Sequence, residues 1–376
     1  TPAHTSPMDK SHAKLAIATF LAAVFLAATL APDKAAADSS FFEGADETFV
    51  VFPTYAAMQA DGSLVIPLRA WTYEAEPDSI KRKLLVELFE EALDVEDPDA
   101  EEIFEERIRP FLYDNERGKE VVVTVDGQQH ELGETQANGH LTATLELPLE
   151  QAMHAVAASP GEQTVELRFR AAGTSRTMVV PVMPRRGISV VSDIDDTIKD
   201  SEVLDREALL RNTFMEPFRA IDGMAERYQR MNGLGSVSFH YLSASPWQLY
   251  PFLDDWRSDA GFPDGTYHLR QVRPSRIKSV REFVDDSRAH KVASIEQMLE
   301  HMSARSFVLI GDSGEHDPEV YGEVARAHPD RIDRIYIRKA DGADNSPERF
   351  QKAFKDVPPA VWMAFEDPAQ FTDSDE

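Results

Sequence analysis

Asp193 and Asp195 lie two residues apart in the string Ser192-Asp193-Ile194-Asp195-Asp196-Thr197, directly after the apolar run 188–191. At the end of an extended segment, side chains two apart face the same way, so both carboxylates would open into one pocket. Two ionised carboxylates so close repel each other, a cost tolerated where a cation or a catalytic step uses them. A second acidic string, Gly311-Asp312-Ser313-Gly314-Glu315-His316-Asp317, follows the apolar run 307–310, and its glycines allow close backbone approach. Between the two strings stand Ser243, after Phe239-His240-Tyr241-Leu242, and Lys291, read as opening an amphipathic helix. Carboxylates suit Mg2+, which takes a few of them together with waters and phosphate oxygens. A hydroxyl and an ammonium suit the remaining phosphate oxygens. The set therefore points to chemistry on a phosphate ester.

The elements that must position these residues are legible from about residue 187 onward. Short β-rich runs at 188–191, 237–242, 307–310 and 332–337 alternate with helical stretches, one of which carries Val292, Ile295, Leu299 and Met302 on one face. Apolar strands alternating with amphipathic helices predict an α/β fold, a parallel sheet covered by helices on both faces. In such sheets ligands gather at the C-terminal ends of the strands, which is where the two acidic strings and Ser243 stand. Gly233-Leu234-Gly235 lacks the rest of a nucleotide-binding loop and reads as a turn.

This constellation resembles the haloacid dehalogenase (HAD) superfamily of aspartyl-phosphate phosphatases. The strings Ser-Asp-Ile-Asp-Asp-Thr-Ile-Lys (192–199), Ser-Ala-Ser-Pro-Trp-Gln-Leu-Tyr (243–250) and Gly-Asp-Ser-Gly-Glu-His-Asp-Pro-Glu-Val-Tyr (311–321) resemble more narrowly the catalytic domain of App1-type phosphatidate phosphatases. The resemblance covers roughly 187–340, and that family also carries a β-rich region in front. It implies a HAD-like Rossmannoid sheet and a role for each matched residue. Asp193 would be the nucleophile that takes the phosphoryl group. Asp195 would protonate the leaving alkoxide and later activate water. Thr197 would order the loop, and Ser243 and Lys291 would hold the transferring oxygens. Mg2+ would sit on Asp193, Asp195 (through its backbone carbonyl) and Asp312, with Asp317 anchoring the site. Lys199, Arg270 and Arg273 join Ser243 and Lys291 as candidate substrate-binding residues.

Composition narrows the alternatives. The 376 residues contain no cysteine, which removes thiolate nucleophiles, Cys-ligated zinc and disulfides, so the nucleophile must be oxygen or nitrogen. A formal charge of -27 argues against nucleic acid as a partner and against general adhesion to anionic membranes. The length predicts about two domains. Lys10 and Lys14 precede the uncharged run 15–31, and Ala35, Ala36 and Ala37 follow it, the order of a signal peptide (1–37). The chain is then expected to be exported, periplasmic or secreted, and an uncleaved N-terminal anchor is the alternative.

Residues 38–185 read as a β-rich, sandwich-like domain. Leu141, Ala143, Leu145 and Leu147 alternate with polar residues, as do Val165, Leu167 and Phe169. Asp61-Gly62, Asp126-Gly127 and Asn138-Gly139 are hairpin-type turns. A helix is expected over 80–92, and the acidic stretch 94–106 reads as a solvated face rather than a calcium loop. The catalytic domain is expected over 186–345, with a helix and acidic tail over 346–376.

Only 45 residues separate Thr197 from Ser243 and 47 separate Ser243 from Lys291. That leaves room for a minimal cap at most, and an open site suits a headgroup on a membrane or a macromolecule. Arg270, Arg273, Arg276, Lys278 and Arg281 form the sharpest positive cluster, read either as docking an anionic lipid or as a solvated face. Trp247, Tyr250, Phe252 and Trp256 read either as dipping into a lipid interface or as filling the core. The function so implied is Mg2+-dependent hydrolysis of a phosphomonoester through an aspartyl-phosphate, with phosphatidate to diacylglycerol as the leading case and peripheral membrane contact. The rivals are a phosphatase for a soluble or protein-borne phosphate, and a non-catalytic envelope or partner-binding module. The residues leave the role of the β-rich region and the oligomeric state open.

Overall fold

The computed structural model describes residues 47–75, 97–161, 163–271 and 280–370, with the backbone alone at 280–286. The expected leader, the expected helix over 80–92, and Arg273, Arg276 and Lys278 lie outside the described residues, as does the side chain of Arg281.

The alternating segments become strands β1 (Glu47–Val51), β2 (Ala56–Met58), β3 (Leu64–Glu74), β4 (Asp114–Asn115), β5 (Glu120–Val125), β6 (Gln128–Glu134), β7 (His140–Leu147), β8 (Thr164–Ala171) and β9 (Thr174–Met183). They pair along one path, β1-β3-β2-β9-β8-β5-β6, with β4 and β7 added to β3. Every pairing is antiparallel except β2 with β9. Asp61-Gly62 joins β2 to β3, and Asp126-Gly127, both at positive φ, joins β5 to β6. Asn138-Gly139 is instead a turn into β7, whose ladder is with β3 and not with β6. The apolar residues of β3, β5, β7 and β8 meet in a single core closed by helix α2 (Leu149–Ala158). The acidic stretch enters helix α1 (Pro98–Ile108), where Asp97 caps the N-terminus, Phe104 and Ile108 face inward, and Asp99, Glu101, Glu102, Glu105 and Glu106 face solvent.

The second half is α/β. Its strands are β10 (Ile188–Asp193), β11 (Val237–Pro246), β12 (Gly265–Arg270), β13 (Ser306–Asp312), β14 (Ile332–Arg338) and β15 (Trp362–Phe365). All run parallel, in the order β12-β11-β10-β13-β14-β15. The sheet thus contains two strands beyond the four apolar runs, and β15 carries it past residue 345. Its strands are buried on both faces, as the near-continuous apolar runs require. Helices α3 (Arg206–Phe214), α4 (Met224–Asn232), α5 (Tyr250–Asp259), α6 (Val280–His301), α7 (Asp317–Ala327) and α8 (Pro347–Ala353) connect and cover it. Among the described residues, no helix is long and apolar enough to cross a membrane.

The two halves share their cores. Phe52, Trp71, Phe104 and Ile108 pack with Val190, Tyr228 and Trp247 on one face of the parallel sheet. Tyr55, Ala57 and Met183 pack with Leu242, Ile295 and Leu299 on the other. At the opposite end from the acidic strings, the buried Arg305 donates to the carbonyls of Pro184, Arg186, Ile188 and Ser236 and to the hydroxyls of Ser189 and Ser238. One guanidinium therefore ties the junction segment to the starts of β10 and β11. Trp247 is buried in the first shared core, and Tyr250, Phe252 and Trp256 pack against it, so these aromatics build the interior.

Two imidazoles are enclosed in this packing. His140 stacks on Trp71, and His240 bonds to Thr266 Oγ1 at 2.8 Å and meets Tyr55 edge-on. Burial, aided by the Arg69 charge, lowers His140 to about 3. Burial, with His268 and Arg305 nearby, holds His240 well below its ordinary value. Because both folded-state values are depressed, the unfolded chain takes up these protons first as pH falls below about 6.5. The contribution of these histidines is therefore complete above that pH and is lost progressively towards about pH 3, by roughly 2 kcal/mol per histidine between pH 7 and 5. Urea unfolding of the wild type and of His140→Phe at pH 7.5 and 5 tests this: the variant should lose less stability than the wild type between the two, and equal losses would show that this imidazole is not held neutral.

Candidate active site

Asp193 ends β10, the strand between β11 and β13: it pairs with Leu242, just before Ser243, on one edge, and on the other lies one residue past the Ser192–Ile310 pair, near the strand end that carries Asp312. Its carboxylate is enclosed: Thr197 Oγ1 donates to Oδ2 at 3.1 Å and Lys291 Nζ to Oδ1 at 2.8 Å. Lys291, 2% exposed, does not open its helix. It lies in the interior of α6, one turn before Ile295, on the face turned to the sheet, because a helix that begins at Val280 delivers that position to the strand ends. Its ammonium also reaches Glu315 at 3.0 Å and Asp317 at 2.6 Å.

Burial lifts Asp193 well above the usual carboxylate range, and Asp317, Glu315 and Asp312 push the same way against Lys291. Asp312 is raised by burial and by Asp317 and Glu315. Lys291 is held up by Asp193, Asp317 and Glu315 although burial opposes it. One ammonium thus faces a surplus of buried carboxyls. Asp193, Glu315 and Asp317 are close enough together to hold a metal ion. Of the acids, Asp312 has the open atom: its Oδ1 is buried and has no hydrogen-bond partner among the described residues, while Oδ2 accepts from Gly314 N at 2.5 Å. Both oxygens of Asp317 are used, one by Lys291 and one by the backbone N–H of Asp312. The donor set fits a hard divalent cation at Asp312 and Asp193. Gly311 and Gly314 are required here, since a Cβ at either would strike Asp317 or Asp312 at under 3 Å.

Asp195 occupies a different environment. Its Oδ1 meets the Lys199 ammonium at 2.9 Å and the Ser201 hydroxyl at 2.9 Å. Its Oδ2 accepts from Ser243 Oγ at 2.9 Å and Ser245 Oγ at 3.1 Å. Burial raises its pKa, but Lys199 and these hydroxyls prevail and bring it to about 2. Lys199, expected to bind substrate, is fully buried and holds Asp195 instead, because a four-residue step returns its chain over the aspartate. Arg270, expected in a solvent-facing basic patch, is 2% exposed at the end of β12, where the strand's pairing with Pro246 draws it inward. The remainder of that patch lies outside the described residues.

Several organising residues were not singled out from the sequence. Asp196, at φ 53°, accepts from the backbone N–H groups of Ser201, Glu202 and Val203, each at 2.8 Å, and so folds the loop that carries Lys199 and Ser201. Arg349 braces the β13–α7 loop through the carbonyls of Ser313 and Glu315 and through Glu319. Ser245 and Glu315 stand inside strings already quoted, and only their partners reveal them. Arg349 lies 30 residues beyond its ion-pair partner, with no local signal.

With this geometry in place, comparison with known proteins is informative. Residues 188–339 match the family model described as phosphatidate phosphatase APP1, catalytic domain. This segment is an App1-like catalytic domain. Over 155 residues, 40% of this chain, it is 36% identical to phosphatidate phosphatase APP1 of Saccharomyces cerevisiae, and covers 26% of that protein. It is 32% identical over 163 residues to an uncharacterized protein of Schizosaccharomyces pombe, covering 42% of this chain and 26% of that one. The chain thus spans about a quarter of the length of these relatives. A solved carbohydrate esterase structure aligns over 80% of this chain and 91% of its own, but at a TM-score of 0.22 and 11% identity it carries no weight. The App1-like segment contains the acidic strings, Ser243 and Lys291, and the β-rich strands lie before it.

Removing the Lys291 ammonium leaves Asp193, Asp317 and Glu315 uncompensated. Lys291→Met should lower unfolding free energy by about 3 kcal/mol at pH 7.5. The loss should shrink as the pH is lowered and the carboxyls take up protons. Urea titrations at two pH values measure it, and an unchanged midpoint would show that the cluster carries no such charge.

Proposed function

We propose that the App1-like segment is a Mg2+-dependent phosphomonoesterase that works through an aspartyl-phosphate on Asp193, with phosphatidate or a similar anionic lipid as substrate. The observation that carries this reading is the convergence of Asp193, Lys291 and the open Asp312 oxygen on the ends of two adjacent parallel strands. Asp193 and Asp312 would hold the cation, and the Asp193–Glu315–Asp317 group lies beside it. Bound there, Mg2+ would neutralise the charge of the transferring phosphoryl oxygens and keep both carboxyls ionised. Asp193 then attacks phosphorus with an oxygen whose direction Thr197 and Lys291 fix. The leaving alkoxide takes a proton from Asp195, and Asp195 later takes one from the water that cleaves the aspartyl-phosphate. As it stands, Asp195 is the ionised acceptor that the second step needs. The first step requires it to carry a proton, and so to loosen from Lys199 as the substrate's negative charge arrives.

The finer reading of the fold belongs to the same proposal: a HAD-like Rossmannoid sheet with minimal cap, expected over 186–345 and carried by β15 to Phe365, behind a sandwich-like domain over 38–185. Between Thr197 and Ser243 lie α3, α4 and the start of β11 and no further helix or strand, which supports an open site. Export directed by residues 1–37 is proposed from the order of its charged, apolar and small residues alone.

Phosphate release from phosphatidate vesicles and from soluble phosphomonoesters, run in parallel with the purified chain, tests the function. Asp193→Asn should lower kcat at least a thousandfold. Retention of the rate by that variant defeats the mechanism, and hydrolysis of soluble esters alone replaces the lipid reading with its soluble rival. Cation binding has its own readout, since a ligand of the folded state raises the melting temperature. Millimolar MgCl2 should raise Tm of the wild type by a few degrees, and Asp312→Asn should remove most of that rise.

A further inference from the structure

Asp195 is gripped from two sides, and each grip is backed by the β-rich half. On the Oδ1 side, Lys199 lies 5.0 Å from the ring of Phe218. The guanidinium of Arg107, from α1, lies over the same ring at 3.7 Å. Arg107 also donates to the carbonyls of Thr213 at 2.8 Å and Glu216 at 2.7 Å, fixing the segment that leads into Phe218. The residues after Phe218 pair with the Lys199 segment: Asp200 N donates to Arg219 O and Ile221 N to Ile198 O. On the Oδ2 side, Ser243 and Ser245 belong to β11, which ends just before Trp247. Arg69, from β3, lies over the Trp247 ring at 4.7 Å, and Phe52 packs against it at 4.5 Å. Arg107 is buried, and its hydrogen-bond and ring partners among the described residues are two carbonyls and Phe218.

We infer that the β-rich half is a built-in positioning element for the active site, acting on Asp195 through Arg107–Phe218–Lys199 on one oxygen and Arg69–Trp247 on the other. The inference rests on the phosphatase reading above and gives the first half of the chain a role in it. Arg107 and Arg69 touch no reacting atom. They set where the acid and base stands, and a small displacement of such a group slows chemistry far more than binding. A cation over an aromatic face also holds its partner in orientation as well as in contact.

The test uses the full chain and separates turnover from binding. Arg107→Ala should lower kcat about tenfold with KM within about twofold, and Arg107→Lys, which keeps a cation and a donor, should restore most of the rate. Val165→Ala, in the β-rich core away from both arms, should lower Tm and leave kcat within about twofold. If Arg107→Ala lowers only Tm, as Val165→Ala does, the inference is overturned. A readout independent of turnover keeps it separable from the phosphatase reading: urea midpoints of Arg107→Ala, Lys199→Met and the double variant. Arg107 and Lys199 meet through Phe218, so the shifts should be non-additive. Additive shifts overturn the inference even in a chain that proves to be a phosphatase. Non-additive shifts in a chain that hydrolyses no phosphomonoester retain the coupling and discard the reading it serves.

Discussion

The buried ammonium of Lys291 is the interaction on which the site depends. It touches Asp193, Glu315 and Asp317, which come from the end of β10, the loop after β13 and the start of α7. Without a cation at that point these ends could not approach, because each carboxylate would lose its hydration and meet its neighbours' charge. Yet one ammonium does not balance the group. The remaining negative charge, with the open oxygen of Asp312, makes the strand ends receptive to a second cation and so to a phosphate that shares it.

The parallel sheet was legible because its strands are buried on both faces and write themselves as short apolar runs, three of which are followed within two residues by Asp193, Ser243 and Asp312. β12 and β15 were harder to see. Gly265-Thr266-Tyr267-His268-Leu269-Arg270 is too polar to stand out as a run, and Trp362-Met363-Ala364-Phe365 is too short. In the β-rich half, alternation located strands and turns but not their partners. β7 follows β6 in the chain yet pairs with β3, a choice made by the shared core and by no local signal.

The site divides in the same way. Asp193, Asp195, Thr197, Ser243, Lys291, Asp312 and Asp317 were named from their strings, and the structure gathers them at one end of the sheet. Their individual environments were not legible. That Lys199 turns onto Asp195 depends on a loop folded by Asp196, and that Arg270 points inward depends on the partner of β12. Asp193 and Asp195, alike in sequence, are driven apart in proton affinity by neighbours 4 to 124 residues away, so proximity in the chain says little about which carboxyl holds its proton more tightly.

The position of β10 has a consequence for how the molecule comes together. It is the first strand of the parallel sheet in the chain but lies in its middle, and its neighbours begin at Val237 and Ser306. Both ladders close over long intervening segments, so the contacts that assemble the acids have high contact order. The strand bearing Asp193 must wait, with unpaired edges on both sides, until later segments arrive, and it is in that interval that the chain is most exposed to wrong pairing.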